Sequence, residues 1–345
     1  MRNLLIITQK VDKNDQLLGF FIDWISRFAQ KFDKVTVLCL EKGEFNLPPN
    51  VKIISLGKDR RVGKLKQFFT FYFLLFTLCK NYDAVFVHMN PIWVVLGGFW
   101  WRMTKKKVFF WYTSGGVTAK LKLAEKFADI IFTASKESFR LPSKKVIVTG
   151  HGIDTDLFRP TIEVKPQLLR FNLNILSIGR ISPVKNYEVL IDAVKILKNR
   201  GIDVLVTMIG EAPLKKDKNY EESLKFKVKS LKLEDNFNFI GKVNHKNLPA
   251  YYQSHDLFIH LSKTGSLDKT VLEAIACEMK VLSSNDASKS FLPQNLIFND
   301  KNSEELANKI MIFKDLEPSS SLREYVIQNH NLDNLINKIA KIINE

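Results

Sequence analysis

Cysteine is scarce and scattered: Cys39, Cys79 and Cys277 are the three in 345 residues. They form no CxxC pair and no even framework, so neither a disulfide scaffold nor a zinc site is expected, and a reduced, cytoplasmic setting fits. The N-terminal run Leu4-Leu5-Ile6-Ile7-Thr8 is followed at once by Lys10 and Asp12. It is too short for the apolar core of a secretion signal and reads as a first β-strand. An apolar, aromatic stretch from Gln67 to Cys79 has thirteen residues, where a membrane-spanning helix needs about twenty. No low-complexity tract, Arg-rich tail or zinc-finger spacing is present, so nucleic acid is not an expected partner. Acidic residues are in deficit, 36 Asp+Glu against 52 Lys+Arg, for a net charge of +16. Such a charge draws anions, be they nucleic acid, anionic lipid or phosphorylated small molecules, and composition alone does not choose among them.

What is present is globular: 46% hydrophobic and 26% charged residues, with length enough for two domains of ordinary size. Strand-like runs alternate with helix-like ones. Leu4–Thr8, 34–40, 51–56, 84–88, 107–112, 130–133 and 145–149 are short and rich in Val, Ile and Phe, and 20–32 has helical spacing. Continuous apolar strands separated by helices indicate a parallel sheet covered on both faces. The pattern lapses between Asp154 and Phe171, which contains Pro160 and Pro166 and reads as a linker. It restarts with strands at 174–178, 204–209, 238–240, 257–261 and 281–283 and helices at 187–197, 221–231 and 268–279, and ends on an amphipathic helix at 332–343. The expected fold class is α/β, with two Rossmann-like parallel-sheet domains facing across a cleft. The first covers 1–160 and the second 161–330, with a terminal helix at 331–345 packing back toward the first. Ligands of open parallel sheets bind beyond the carboxyl ends of the strands, so informative residues should follow strands in both halves.

Two segments do so conspicuously. Ile178-Gly179-Arg180-Ile181-Ser182-Pro183-Val184-Lys185-Asn186 follows a strand and opens a helix. Its backbone N–H groups can meet a phosphate, and Arg180 and Lys185 add two cations able to stabilise charge on a leaving diphosphate. Two solvated surface cations are the alternative for this segment alone. Thr264-Gly265-Ser266-Leu267-Asp268-Lys269-Thr270-Val271-Leu272-Glu273-Ala274 also joins a strand to a helix. Val271, Leu272, Ile275, Ala276 and Met279 form its expected buried stripe, with Glu273 off it. A carboxylate there can accept two ribose hydroxyls, or simply favour the helix dipole. Asp268 fits an N-cap at least as well as a catalytic role.

Arg180 with Lys185, followed by Leu272-Glu273-Ala274 in a strand–loop–helix, resembles retaining glycosyltransferase family four, whose fold is GT-B. Gly150-His151-Gly152-Ile153-Asp154 with Phe158 and Pro160, and Tyr252 to Asp256, are similar to that family as well. The resemblance covers most of the C-terminal half and, more loosely, the whole chain. It implies a hexosyltransferase in which Gly179, Arg180, Lys185, Gly265, Ser266, Leu267, Asp268 and Glu273 bind a nucleotide diphosphate sugar, with Glu273 on the ribose. It also implies that His88, in Val87-His88-Met89-Asn90-Pro91, lies near the reacting sugar, so that His88, Arg180 and Lys185 carry the chemistry. Retention would proceed by same-face attack, with a leaving phosphate oxygen taking the acceptor's proton and with no protein nucleophile. The family's first motif glutamate falls eight residues before Glu273, where this chain has Gly265. Backbone N–H groups of 265–267 or the Asp268 carboxylate could substitute. Gly19 and Ser114, in Leu17-Leu18-Gly19 and Tyr112-Thr113-Ser114-Gly115-Gly116, border the acceptor side.

No cofactor or metal is expected. Asp154-Thr155-Asp156 looks like a metal-binding Asp-x-Asp but sits in the linker-like segment without a supporting cluster. The expected partners are the nucleotide-sugar donor and a glycan or lipid-linked acceptor. An anionic membrane surface is a further candidate: Gln67 to Cys79 follows Arg60, Arg61, Lys64 and Lys66, and Trp93 to Trp101 precedes Lys105-Lys106-Lys107. A buried domain helix is the other reading of the first stretch. Two further function classes stand beside the transferase: a GT-B nucleotide-sugar 2-epimerase, for which no convincing acid–base carboxylate set is visible, and a non-catalytic nucleotide-sugar binder, which Gly265 keeps open.

Overall fold

The computed structural model describes residues 2–15, 17–161, 171, 173–262, 265–313 and 319–345. Residues divide by mutual contact into two units, Met1–Gly152 with His330–Glu345, and Ile153–Asn329.

The first unit is a seven-stranded sheet in the order β3-β2-β1-β4-β5-β6-β7. Its strands are β1 (Leu4–Val11), β2 (Val35–Lys42), β3 (Val51–Ser55), β4 (Ala84–His88), β5 (Lys107–Trp111), β6 (Ile130–Thr133) and β7 (Val146–Val148), and every pairing is parallel. The apolar run of β1 serves two cores at once, as strand periodicity requires. Leu4 and Ile6 join α1 (Phe21–Ala29) on one face, while Leu5 and Ile7 join α2 (Lys64–Leu78), α3 (Pro91–Met103) and α4 (Ala119–Phe127) on the other. Asn90 caps α3 by accepting from the Ile92 N–H with Pro91 in the first turn, and Thr118 caps α4 by accepting from the Leu121 N–H.

The second unit is a five-stranded parallel sheet, β10-β9-β8-β11-β12. It comprises β8 (Leu173–Ile178), β9 (Val204–Ile209), β10 (Phe237–Gly241), β11 (Leu257–His260) and β12 (Lys280–Ser283). Ile175 points to the core shared with α5 (Glu188–Asn199), α6 (Lys215–Ser230) and α9 (Ser303–Phe313). Leu176 and Ile178 point to the core with α7 (Leu248–Ser254), α8 (Lys269–Ala276) and α10 (Ser320–His330).

The last helix, α11 (Leu332–Asn344), returns to the first unit, where Leu335, Ile336, Ile339 and Ile343 are buried in the core of α1 and β1. Each such side chain contributes roughly 1.5–3 kcal/mol of apolar burial.

Three sequence expectations need correction here. Residues 153–160 belong to the second unit: Ile153 and Phe158 are fully buried in its core, so the described part of the supposed linker is a packed segment. Pro166 lies outside the described residues. α6 begins at Lys215, six residues before the expected start, because its first turns carry Lys and Asp with no apolar period to read. α2 is not a buried helix: of its fifteen residues only Phe71 and Leu75 are buried.

Candidate functional site

In both sheets the strand order reverses between the first strand and its later neighbour, β1 and β4 in the first unit and β8 and β11 in the second. Ligands of open α/β sheets bind at such switch points.

At the second unit's switch point, the loop after β8 and the end of β11 bring three charged or titratable side chains together. Lys185 ends a 3-10 turn, Pro183–Lys185, and its Nζ lies 2.6 Å from Asp268 Oδ2 and 3.3 Å from His260 Nε2. His260 Nε2 lies 2.7 Å from the same Asp268 oxygen, and His260 Nδ1 lies 3.3 Å from Ser283 Oγ on β12. Burial and the neighbouring Lys185 ammonium push the imidazole below its ordinary range, so it is neutral near pH 7. One neutral tautomer satisfies the Asp268 and Ser283 contacts. Nε2–H donates to Asp268, and Nδ1 accepts from the Ser283 hydroxyl, which itself accepts from the Asn285 N–H. Burial alone would raise the Asp268 carboxyl, but Lys185 and His260 outweigh it and hold the group well below the usual carboxylate range. The Lys185 side chain is 10% exposed and that of Asp268 33%. With Asp268 as its acceptor, the ammonium keeps N–H groups for a further anion.

Glycine geometry builds this corner. A Cβ on Gly179 would meet Lys185 Cε at 3.2 Å, so the bare backbone lets the lysine stem fold over it. The Gly179 N–H donates to Ile209 O, the Ile181 N–H to Glu211 O and the Lys185 N–H to Ser182 O. These three amides donate inside the fold. Arg180 is exposed and makes no ion pair among the described residues.

Asp268 is the N-cap residue of α8, yet its side chain makes no capping bond and turns to Lys185 and His260 instead. Gly265 has φ +60°, a left-handed backbone that glycine adopts without strain. The Asn285 amide pins the loop by donating to Ser266 O, and Leu267 is buried in the core beneath. Thr264 lies outside the described residues.

Glu273 does not project from the helix as expected. It is 2% exposed, because α8 is covered on all sides from Val271 to Ala276. Its Oε1 is 2.9 Å from His245 Nε2 and its Oε2 accepts from the Tyr252 hydroxyl at 3.1 Å. Burial pushes the carboxyl up, but His245 and Tyr252 outweigh burial and hold it below its ordinary value. Each oxygen retains one unused lone pair.

His88 stands at the first unit's switch point. It ends β4, is 1% exposed, stacks on Phe21 at 3.9 Å between ring centroids and places Nδ1 3.3 Å from Thr8 Oγ1 of β1. Its carbonyl accepts from the Asn90 N–H, and Met89 between them has φ +64°. Gly19 makes a tight turn, its N–H donating to Asp15 O, where an added Cβ would sit 2.5 Å from that oxygen. Ser114 is half-buried, its N–H donating to Ser138 O and its Oγ accepting from the Gly116 N–H. Among the described residues no group of three His, Cys, Asp or Glu could hold a metal ion. Asp154 Oδ1 accepts from the Asp156 and Leu157 N–H groups, the geometry of a local turn.

His260 and His245 were not singled out from sequence, and Tyr252 entered only as the start of a segment similar to the family. His260 closes β11 and His245 lies just past β10, so the strand-end rule alone would have found both.

Residues 172–333 match the family model described as glycosyl transferases group 1. The matched segment contains Lys185, His260, Asp268 and Glu273. The chain is 30% identical over 147 residues to mannosylfructose-phosphate synthase of Agrobacterium fabrum, covering 41% of this chain and 32% of that protein. It is 29% identical over 149 residues to the amylovoran biosynthesis glycosyltransferase AmsK of Erwinia amylovora, covering 41% of this chain and 34% of that one. The matches thus span about a third of these relatives' own length. Among solved structures, Anabaena HepE in complex with UDP-glucose matches over 100% of both chains with a TM-score of 0.81 at 18% identity. Sucrose-phosphate synthase of Thermosynechococcus elongatus matches over 100% of this chain and 98% of that one, with a TM-score of 0.77 at 16% identity. At these identities the likeness shows the fold, which is GT-B: two Rossmann-like parallel-sheet domains.

Proposed function

We propose that the chain is a retaining glycosyltransferase that moves a hexose-type sugar from a nucleotide diphosphate donor to a glycan or lipid-linked acceptor without a metal ion. The observation that carries this reading is the Lys185 ammonium, nearly buried at the switch point of the segment that matches the group 1 family model and held by Asp268 at 2.6 Å. Lys185 keeps N–H groups for the diphosphate while remaining paired, and exposed Arg180 reaches the same anion from the other end of the loop. As the bond from the sugar's anomeric carbon to the phosphate oxygen breaks, negative charge grows on the diphosphate, and the paired Lys185 ammonium stabilises it without moving, with Arg180 adding a second positive charge. The acceptor oxygen bonds to the same face of the anomeric carbon, and its proton passes to the leaving phosphate oxygen. Glu273, aimed by His245 and Tyr252, turns an unused lone pair toward the ribose. Asp268 stands where Gly265 leaves the donor sugar without its usual carboxylate. The relatives named as glycosyltransferases and the HepE complex with UDP-glucose support a nucleotide-sugar donor.

The test is release of nucleoside diphosphate from a panel of UDP- and GDP-sugars, with and without EDTA, followed by NMR of the product's anomeric configuration. Turnover that survives EDTA and Lys185→Ala turnover reduced at least a hundredfold are expected, with the anomeric configuration of the donor kept. Inversion would overturn retention, and loss of turnover in EDTA would overturn metal independence. Tight binding of a nucleotide sugar without turnover would instead establish the non-catalytic binder that Gly265 keeps open.

A further inference from the structure

The outer surface of the α2–α3 layer is apolar where a soluble surface is ordinarily polar. α2 is apolar almost all round, a pattern that marks helices covered on every side, yet this chain covers only one side of it. Phe71 and Leu75 face the core, while Leu65, Phe69, Phe73 and Phe76 form a stripe along the opposite face. Phe69, Phe73 and Phe76 are each about two-thirds exposed. Phe76 packs against Trp100 of the neighbouring α3, with ring centroids 5.9 Å apart. One turn apart on α3, Phe99 and Met103 are as exposed as the α2 stripe. Contiguous exposed apolar surface of this kind marks an interaction site.

The charge around it is predominantly positive. Residues 60–127 hold twelve Lys and Arg against two Asp and Glu, ten of the chain's sixteen net positive charges. Neither α2 nor α3 contains an acidic residue. The α3 stripe ends at a pocket of about 210 Å³ lined by Arg102, Lys105, Lys106, Lys107 and Asp129, among others. Lys106 donates to Tyr82 O, Arg102 to Lys126 O, and Asp129 accepts from the Val108 N–H. Lys105 and Lys107 are exposed at its edge.

We propose that this face docks on an anionic lipid bilayer, with the Phe69–Phe73–Phe76 stripe and Phe99 entering the headgroup–acyl boundary and the basic pocket receiving a lipid phosphate. Aromatic side chains on one face with lysines beside them suit that boundary. A second copy of the chain fits less well, because a twofold contact would set this basic surface against itself. No helix among the described residues is long and apolar enough to cross a membrane, so the contact is a surface one. This inference stands apart from the donor chemistry and uses none of its residues.

The experiment is sedimentation of the full chain with vesicles of phosphatidylcholine alone and of phosphatidylcholine with phosphatidylglycerol. Binding only to the second kind is expected. Phe69→Ser and Phe73→Ser should lower partitioning by roughly tenfold each. Lys105→Ala with Lys107→Ala should lower it roughly thirtyfold. Phe226→Ser, on the equally exposed Phe226 of α6, should leave it unchanged, and circular dichroism melting checks that each variant is folded. Equal binding to both vesicle kinds, no binding to either, or a lipid-free dimer that Phe69→Ser dissociates would overturn the proposal. Turnover measured in solution without lipid is independent of all three results.

Discussion

Asp268 holds two roles that a substitution can separate. Its carboxylate anchors Lys185 and fixes the His260 tautomer, and it also sets a negative charge beside the place where a diphosphate would bind. Asp268→Asn removes that charge and keeps the shape, so affinity for UDP or GDP alone should rise about threefold to tenfold. If Asp268 also contacts the donor sugar, the added affinity of the sugar conjugate over the bare nucleotide should fall in the same variant; calorimetric titration of both ligands reads the two effects apart. His330 offers a residue-scale test of stability. It is 4% exposed and its Nδ1 accepts from the His151 N–H. Burial, reinforced by His151, pushes its pKa from 6.5 down to about 3. The unfolded chain takes up a proton near pH 6.5 and the folded chain does not until about pH 3, so stability falls as pH is lowered through that window. One such group contributes roughly 1 kcal/mol per pH unit. His330→Gln should flatten the slope of urea-unfolding free energy against pH across that interval by this amount, and an unchanged slope would contradict the assignment.

Among the elements, the two strand ends under the donor loop leave no room for side chains. Gly210 follows β9 with φ +147°, and a Cβ there would lie 1.9 Å from the Gly179 carbonyl oxygen. Gly210→Ala should therefore destabilise the second unit by more than about 2 kcal/mol and displace the Gly179–Lys185 loop. A thermal melt and nucleotide titration of that variant check both. α11 is the corresponding test for the first unit: Leu335→Ala and Ile339→Ala should each cost about 2–5 kcal/mol, because both side chains are fully buried against α1. Most of these elements are legible in sequence for the same reason that they are stable. Strands such as Ala84–Val87 are unbroken apolar runs, and α11 carries a clean helical period. α6 hid its first six residues because they are lysine-rich and show no apolar period, and Phe158 hid its burial in a proline-containing segment with no period. Glu273 was misplaced because a helical wheel shows a stripe and not the neighbours; α7 and the His245 turn close over the face that the wheel left open.

For the whole molecule, sequence carried the repeated α/β architecture, and its cations marked one end of the switch-point cluster. Lys185 and Asp268 lie 83 positions apart and His260 belongs to a third segment, so their meeting is a product of strand order and not of any local motif. Charge is distributed as unevenly as hydrophobicity, with most of the net excess between residues 60 and 127 and outside the segment that matches the group 1 family model. Donor binding should depend on a few fixed cations rather than on the bulk charge. Raising salt should then weaken nucleotide binding less than vesicle binding, because the nearly buried Lys185 ammonium is screened less than the exposed lysines. The most direct test of the central claim is a thermal-shift titration of UDP- and GDP-sugars against the wild type, Lys185→Ala and Arg180→Ala. A ligand that binds the folded state raises the melting temperature by mass action. A saturable rise with one nucleotide sugar, absent or strongly reduced in both variants, is the predicted result. No rise with any nucleotide sugar in the folded wild type, or the same rise in the variants, would contradict a donor site built on Lys185.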